Sequence, residues 1–355
     1  MIDWSQSMDQ TYEYYVVDPK TWKDVRKLDY VKSCQITRDS ESETLGSATI
    51  DIVESIGECY IRVYLIAVQN GYRDKRPLGT FLVQTPSTSF DGKSKAITFD
   101  AYTPLLELKE KPPPFGYSVL KDNNIMDTVC GITREQMRAP VIPAKCTTPL
   151  FYDFVANNND TWLTFLADLM ANAKYSFDLD EMGRVLFAPK QELRTLQPRW
   201  TYDDSNSSIL YPEITIDRDF YGIPNVVEVV YSTNTSHYYS RIVNDDPNSP
   251  TSTVNRGREI IYRATNPDRI GDPTRNQIDE YAKRLLKELS SLECTVTYTH
   301  AYCPTRVGDC VLLNYARAGI NNVKAKIIRQ NIDCGLGCKV SETAVFTTKL
   351  WGSDI

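Results

Sequence analysis

The sequence predicts a β-rich α+β protein, with a barrel-like β region towards each end, a small α/β insert between them and one long packed helix. Three observations predict it. Cys59 to Leu108 holds three apolar, β-branched runs joined by two short turns. The C-terminal third, from Cys294 to Phe346, repeats that pattern. Only two windows between them carry long apolar faces at helical spacing, one after Asp160 and one over 273–292. The boundaries this implies are 1–110 for the first β region, 111–200 for the insert and 201–355 for the second β region.

In order, a short tyrosine-rich strand over residues 12–17 breaks at Asp18-Pro19, with Trp22 expected to fold back as a staple. Val31 to Thr37 is the next strand. Ser47 to Ile52 alternates, with Ala48, Ile50 and Ile52 inward. The run Tyr60 to Val68 ends at Asn70-Gly71, a strong hairpin signal because both residues tolerate positive φ. Leu78 to Val83 follows, and Asp91-Gly92 turns the chain into Ala96 to Ala101, where Ile97, Phe99 and Ala101 share a face. Such a meander exposes backbone donors and acceptors along its outer strands, so something must cover them.

Pro112-Pro113-Pro114 reads as a stiff link. Asn123 or Asn124 caps a short helix over Ile125 to Cys130, and Ala139 to Pro149 is loop. Asp160 is the expected cap of a helix whose face is Trp162, Phe165, Leu166, Leu169, Met170 and Ala173. A hairpin follows, Tyr175 to Phe177 and Val185 to Phe187, turning at Glu181-Met182-Gly183. Residues 200–210 read as polar and turn-rich. Strand character resumes at Glu213 to Asp217 and Val226 to Tyr231, and Asn244 to Pro250 is an exposed loop. Asp272 as N-cap and Pro273 at the first helical position open the best helix, with Ile278, Tyr281, Ala282, Leu285, Leu286, Leu289 and Leu292 on its apolar face. It is expected to lie across the open side of a sheet. Strands over 294–299, 307–314, 323–332 and 339–346 complete the chain.

Composition narrows the function. A net charge of -6 argues against binding held by nucleic-acid phosphates. No run approaches the roughly 18 apolar residues of a membrane helix, and the N-terminus has no export-signal pattern. The nine cysteines are an odd count without framework spacing, which predicts free thiols in a reducing compartment.

No motif points to chemistry. The two histidines, His237 and His300, are far apart. His300 and Cys303 could be base and nucleophile, but their spacing near a strand end, before Pro304, suits ordinary sheet-edge residues better. Cys303, Cys310, Cys334 and Cys338 could gather round a structural metal, yet their spacing lacks paired Cys-x2-Cys. Small buried residues flanking a turn are the simpler reading. Asp203-Asp204 and Asp245-Asp246 read as solvated loop carboxylates, and Arg73-Asp74-Lys75-Arg76 as a hairpin tip, either solvated or touching a partner subunit. Gly57, Gly71, Gly79 and Gly92 read as turn glycines. No catalytic, cofactor-binding or metal residue is expected.

One resemblance rests on the order of particular segments. These are Val16-Val17-Asp18-Pro19, Ser47 to Ile52, Tyr60 to Ile66, Pro77 to Pro86, Tyr102 to Lys109, Val307-Gly308-Asp309-Cys310-Val311-Leu312-Leu313 and the Gly335-Leu336-Gly337 turn. Together they resemble the baseplate hub of tailed bacteriophages and phage-like contractile particles. The resemblance implies a virion protein of the tail baseplate, assembled in the host cytoplasm, with two tail-tube-like β-barrels per chain. It implies a homotrimer whose ring of six barrels joins the hexameric tail tube to a three-fold spike or fibre. Implied partners are the tail tube or distal tail protein above, the spike or fibre protein below and the tape-measure protein in the lumen. DNA would pass during ejection without specific binding, through a lumen whose carboxylates repel phosphate, and no membrane insertion is implied. The alternatives are a distal tail adaptor forming a hexamer and a tail-associated peptidoglycan hydrolase.

Overall fold

The computed structural model describes residues 2–54, 56–90, 92, 95–232, 237–267 and 274–351. They form two compact units, Met1–Ile214 with Thr297–Ala344, and Thr215–Val296 with Val345–Ile355.

The first unit opens with seven strands: β1 (Asp9–Val17), β2 (Asp24–Leu28), β3 (Val31–Asp39), β4 (Gly46–Ile52), β5 (Cys59–Gln69), β6 (Tyr72–Phe90) and β7 (Lys95–Tyr102). They pair antiparallel in the order β3-β4-β7-β6-β5-β1-β2. Asn70 and Gly71 make the β5–β6 turn at φ 51° and 78°, as the hairpin signal predicts. Asp91 lies outside the described residues. β6 is one 19-residue strand, so Arg73, Asp74, Lys75 and Arg76 sit within a ladder and not at a hairpin tip. The ladder with β5 slips one residue at Leu78, beside Pro77, which has no N–H to offer. Gly79 therefore lies in strand, under the Phe81 ring, and is no turn glycine. β2 escapes a sequence reading because its side chains are mostly charged and exposed.

The middle of this unit carries α1 (Leu106–Lys109), β8 (Ser118–Val119), α2 (Ile125–Gln136), β9 (Phe154–Val155), α3 (Trp162–Ala171), β10 (Tyr175–Leu179) and β11 (Val185–Pro189). Asn124 caps α2, accepting from the Asp127 N–H at 3.1 Å. α3 begins one residue later than expected. Thr161 and Thr164 form its capping box, while Asp160 turns back to accept from the Asn157 N–H at 2.7 Å. The predicted face, Trp162, Phe165, Leu166, Leu169 and Met170, is buried in a core shared with α1, α2 and the β10–β11 hairpin.

That hairpin docks on the first sheet through the fully buried Arg62 of β5. Arg62 donates to Thr80 Oγ1 at 2.9 Å, Asp24 Oδ1 at 2.7 Å and the Met182 carbonyl at 3.1 Å. Trp22 Nε1 donates to the same carbonyl at 2.7 Å, so the predicted staple clamps the insert.

The rest of the chain supplies β12 (Pro198–Asp203), β13 (Leu210–Arg218), β14 (Val226–Ser232), β15 (His237–Val243), α4 (Thr253–Arg256), β16 (Ile261–Thr265), α5 (Arg275–Leu289), β17 (Ser291–Ala301), β18 (Cys310–Tyr315), β19 (Ile320–Asp333) and β20 (Lys339–Lys349). Residues 200–203 are not turn but strand, because β12 pairs parallel with β18 and buries Tyr202. β19 pairs with β3 over Arg329↔Asp39 to Asp333↔Gln35. The long strand path thus runs β13-β17-β20-β19-β3-β4-β7-β6-β5-β1-β2, with β18 and β12 branching from β19. Among the described residues this path is open, ending at β2 and β13.

In the second unit, β15-β14-β16 form a separate three-stranded sheet. α5 packs on it through Ile278, Ala282 and Leu286 against Val227 and Val229. The helix therefore covers this small sheet, whose flanking strands are too exposed to announce themselves in the sequence. Its cap is Thr274, boxed with Gln277; Asp272 and Pro273 lie outside the described residues. Leu292 belongs to β17 and not to the helical face, because the helix ends at Leu289.

Two glycines give opposite expectations. Gly183, at φ 74°, would bring a Cβ to 2.7 Å from Thr80 Cβ. Gly183→Ala should destabilise by about 1–3 kcal/mol in urea unfolding. Gly131 lies inside α2 with open space around it, and Gly131→Ala should stabilise by about 0.5–1 kcal/mol.

Candidate functional site

The densest polar chemistry in the protein lies inside the first unit, where β12, β17, β19 and β20 meet. Along β20 the inward positions are Val340, Glu342, Ala344 and Phe346, so strand alternation alone buries a carboxylate. Glu342 is fully buried and accepts from Tyr298 Oη at 2.7 Å, Thr305 Oγ1 at 2.8 Å and Gln330 Nε2 at 2.6 Å. His300 Nε2 stands 3.2 Å from Glu342 Oε1, and its Nδ1 stands 2.7 Å from the Ala301 carbonyl. Tyr202 Oη touches His300, Cys303 and Glu342 at 3.1–3.3 Å.

The charges follow from these contacts. Burial pushes the His300 imidazole down, but the Glu342 carboxylate overrides it and leaves the group raised to about 10. Burial likewise pushes Glu342 up, and the imidazolium with its hydrogen-bond donors brings it below the usual carboxylate range. Burial raises Tyr202 and Tyr298 well above an ordinary phenol. The cluster is an imidazolium–carboxylate pair with its polar atoms engaged and no exposed face.

Such an arrangement does not perform nucleophilic catalysis. Cys303 Sγ is 3.9 Å from His300 Nδ1, and in the imidazolium that nitrogen already donates to the Ala301 carbonyl. A protonated ring held in this way is no base for a buried thiol. His300 and Cys303 are interior residues, so the expectation of sheet-edge positions is corrected: they face into the strand junction. Sequence reasoning misses Glu342, Gln330 and Tyr202. The signal that could have found Glu342 is its place in an alternating apolar strand.

The remaining candidates disperse. Cys334 sits beside Cys34, its N–H donating to the Cys34 carbonyl at 2.9 Å. The Cys34 contact and burial raise its thiol well above the usual value, and burial pushes Cys338 up to about 12. Cys303 belongs to the histidine cluster, and Cys310 Sγ faces the Val311 carbonyl. The four thiols lie in three separate settings. Among the described residues no three His, Cys, Asp or Glu side chains are grouped to hold a metal ion. His237 is exposed on β15 in the second unit, its Nδ1 3.0 Å from Ser232 Oγ. Asp204 pairs with Arg317, Asp203 accepts from the Ser205 N–H, and Asp246 accepts from the Asn248 N–H. Lys75 pairs with Glu13 at 2.9 Å and lies over the Tyr15 and Tyr64 rings, so the basic run is spent on its own sheet.

The first unit also holds a cleft of about 840 Å³ between β6, the β10–β11 hairpin and Arg306 to Asp309. In it Arg306 pairs with Asp178 at 2.7 Å and Arg38 with Glu181 at 3.6 Å, and Lys190 and Lys326 also line it. The other prominent features are surfaces. β2 and β13 end the sheet path, and several large apolar side chains are exposed beside β2 and around β8–β9. The arrangement suits assembly more than reaction.

Neither a protein-family profile nor a curated protein matches the sequence. Solved structures do match. The tail protein from Neisseria meningitidis MC58 is 12% identical and superposes with a TM-score of 0.62, over 95% of this chain and 97% of that one. The prophage MuSo2 43 kDa tail protein from Shewanella oneidensis is 10% identical, with a TM-score of 0.59 over 94% and 98%. A Francisella PdpA–VgrG complex also matches, at 10% identity and a TM-score of 0.54, over 97% of this chain and 53% of that one.

The buried pair sets a pH dependence. His300 has its folded value raised, so its contribution is complete below about pH 6.5 and is lost as pH rises towards about 10. Glu342 has its folded value lowered, so its contribution is lost on acidification below the ordinary carboxylate range. Thermal melts of the wild type should lose stability from about pH 6.5 to about 10. Glu342→Gln should cost about 3–5 kcal/mol at neutral pH and flatten that alkaline loss.

Over nearly its whole length, the chain shares the fold of two solved tail proteins, one of them from a prophage.

Proposed function

We propose that this chain is a structural protein of a phage tail, and within the tail the baseplate hub. The observation that carries this reading is the fold match across almost the full length of both chains with two tail proteins. The buried, fully engaged His300–Glu342 cluster agrees with a role in assembly and not in catalysis.

The hub is a homotrimer. Each chain contributes a tube-like β-barrel from 1–110, a second from 201–355, and a middle domain from 111–200 between them. Three copies make a pseudo-six-fold ring joining the hexameric tail tube to a three-fold spike or fibre. The open strand path supports this, because β2 and β13 keep border positions that a neighbouring copy can cover. The Francisella structure is a complex of PdpA with VgrG, which supports a further protein partner for a chain of this fold. The tape-measure protein and, transiently, DNA occupy the lumen. The net charge of -6 supports a channel wall that repels phosphate.

Native mass spectrometry of the purified chain should give three subunits. A hexamer would move the assignment to a ring-forming tail adaptor, and a monomer at every concentration would remove the hub reading. A zymogram on peptidoglycan should show no clearing, and clearing by this chain alone would make it a hydrolase.

A further inference from the structure

Two surface features of the first unit bear on association, an exposed apolar ribbon and a recess beside β2. The first is the short ribbon of β8 and β9, where Ser118 pairs with Val155 and Val119 with Phe154. Backbone bonds from Ala156 to Tyr117 and from Asp122 to Leu150 extend the pairing at both ends. Its inner side is anchored: Tyr117 and Phe154 pack on Trp162 and Phe165 of α3. Its outer residues are Phe115, Leu120, Phe151, Tyr152 and Val155, at 92%, 60%, 74%, 83% and 57% exposure. With 150–250 Å² per aromatic side chain, this ribbon offers about 700 Å² of apolar surface. That exceeds the roughly 300–600 Å² of the largest patch on a typical monomer, and approaches the roughly 800 Å² that each partner buries in a standard interface.

The second place is a pocket of about 380 Å³ beside the border strand β2. Val16, Val17, Pro19, Val25, Cys59 and Tyr60 give it apolar walls, and Asp18, Glu58 and Arg138 also line it. An apolar cavity of about 150 Å³ already accepts a benzene ring, so this one has room for an aromatic side chain. Ribbon and pocket stand at opposite ends of α2. Leu120 precedes its cap, Asn124, and Arg138 follows its last turn. A 12-residue helix spans about 18 Å. A projection and a recess displaced in this way cannot meet within one molecule or across a two-fold axis through either feature. A two-fold axis midway between them would pair them reciprocally in a dimer, whereas the three-fold assembly proposed above pairs them head to tail, the contact that closes a ring.

We propose that copies of this chain associate by seating the β8–β9 ribbon of one copy, through Phe151 and Tyr152, in the β2 pocket of the next. The proposal rests on the trimeric reading above and assigns its contact surfaces. The occupant is a second copy because the chain presents both halves of the contact, in an area matched to a stable interface.

The test compares wild type with a ribbon variant, Phe151→Ser/Tyr152→Ser, and a pocket variant, Val25→Lys, by sedimentation over a concentration series. Thermal melts check that each variant is folded. The changed side chains are exposed; should the ribbon variant melt early, Phe115→Ser/Leu120→Ser replaces it, and should the pocket variant do so, Val25→Ser replaces it. Wild type should be trimeric, and each variant should dissociate with a constant at least 100-fold higher. Mixed one to one, the two variants should form dimers that do not close, because one intact ribbon meets one intact pocket. Folded variants that remain trimeric at wild-type affinity would overturn the ribbon-in-pocket contact while leaving the trimer standing. Loss of assembly in the ribbon variant alone would overturn it in favour of ribbon against ribbon. A monomeric wild type would overturn the trimer and this contact with it.

Discussion

The pairing of β3 with β19 is the constraint on which the first unit depends. Five residue pairs, Arg329↔Asp39 to Asp333↔Gln35, join strands almost 300 positions apart. Without them the N-terminal meander would end in an unpaired strand, and β19 would lose one of its neighbours. Side chains reinforce the register. Arg329 pairs with Asp39 at 2.7 Å, Thr37 Oγ1 donates to Asn331 at 3.0 Å, and Arg38 donates to Gln330 at 3.1 Å. Gln330 also donates to Glu342, so the residue that reaches β3 holds the buried carboxylate as well. Tyr12 Oη reaches the Gly335 carbonyl at 2.9 Å, tying β1 to the turn after β19.

Two buried charges divide the remaining work. Arg62 fixes the β10–β11 turn to the first sheet, and Glu342 with His300 fixes the strands that bring the chain back to it. Each charge has its partners in place, which is the condition for a buried ion to be retained without a large penalty. These clusters look like catalytic material when only residue types are considered. Their enclosure makes them fasteners, while the β8–β9 ribbon and the strand borders β2 and β13 stay on the surface.

Much of this is legible from residue patterns. The β5–β6 hairpin follows from Asn70-Gly71, β4 from its alternation, α3 and α5 from their apolar faces. What is not legible has physical causes. β2 is a charged border strand, and its backbone pairing leaves no apolar signature. β6 runs through Pro77 because a one-residue slip absorbs the missing donor. β15 and β16 are largely exposed, so of the sheet beneath α5 only its central strand, β14, shows in the sequence, although the helix is plain. Of the candidate residues, His300 and Cys303 stand out as neighbours, but the carboxylate that defines their state lies well downstream at Glu342. Only the alternation of Val340, Glu342 and Ala344 marks it, and it marks burial without naming a partner.

The distance along the chain between β3 and β19 also has a temporal meaning. During synthesis, β3 emerges with its outer edge bare, and the segment that covers it is made almost 300 residues later. At about 5–20 residues per second, the ribosome leaves that edge open for roughly ten seconds to a minute. Nascent copies on one message would pass this interval side by side, with complementary borders exposed. The charged side chains on β2 and β3, among them Arg26, Lys27, Lys32 and Arg38, make those borders poor templates for another unfinished chain.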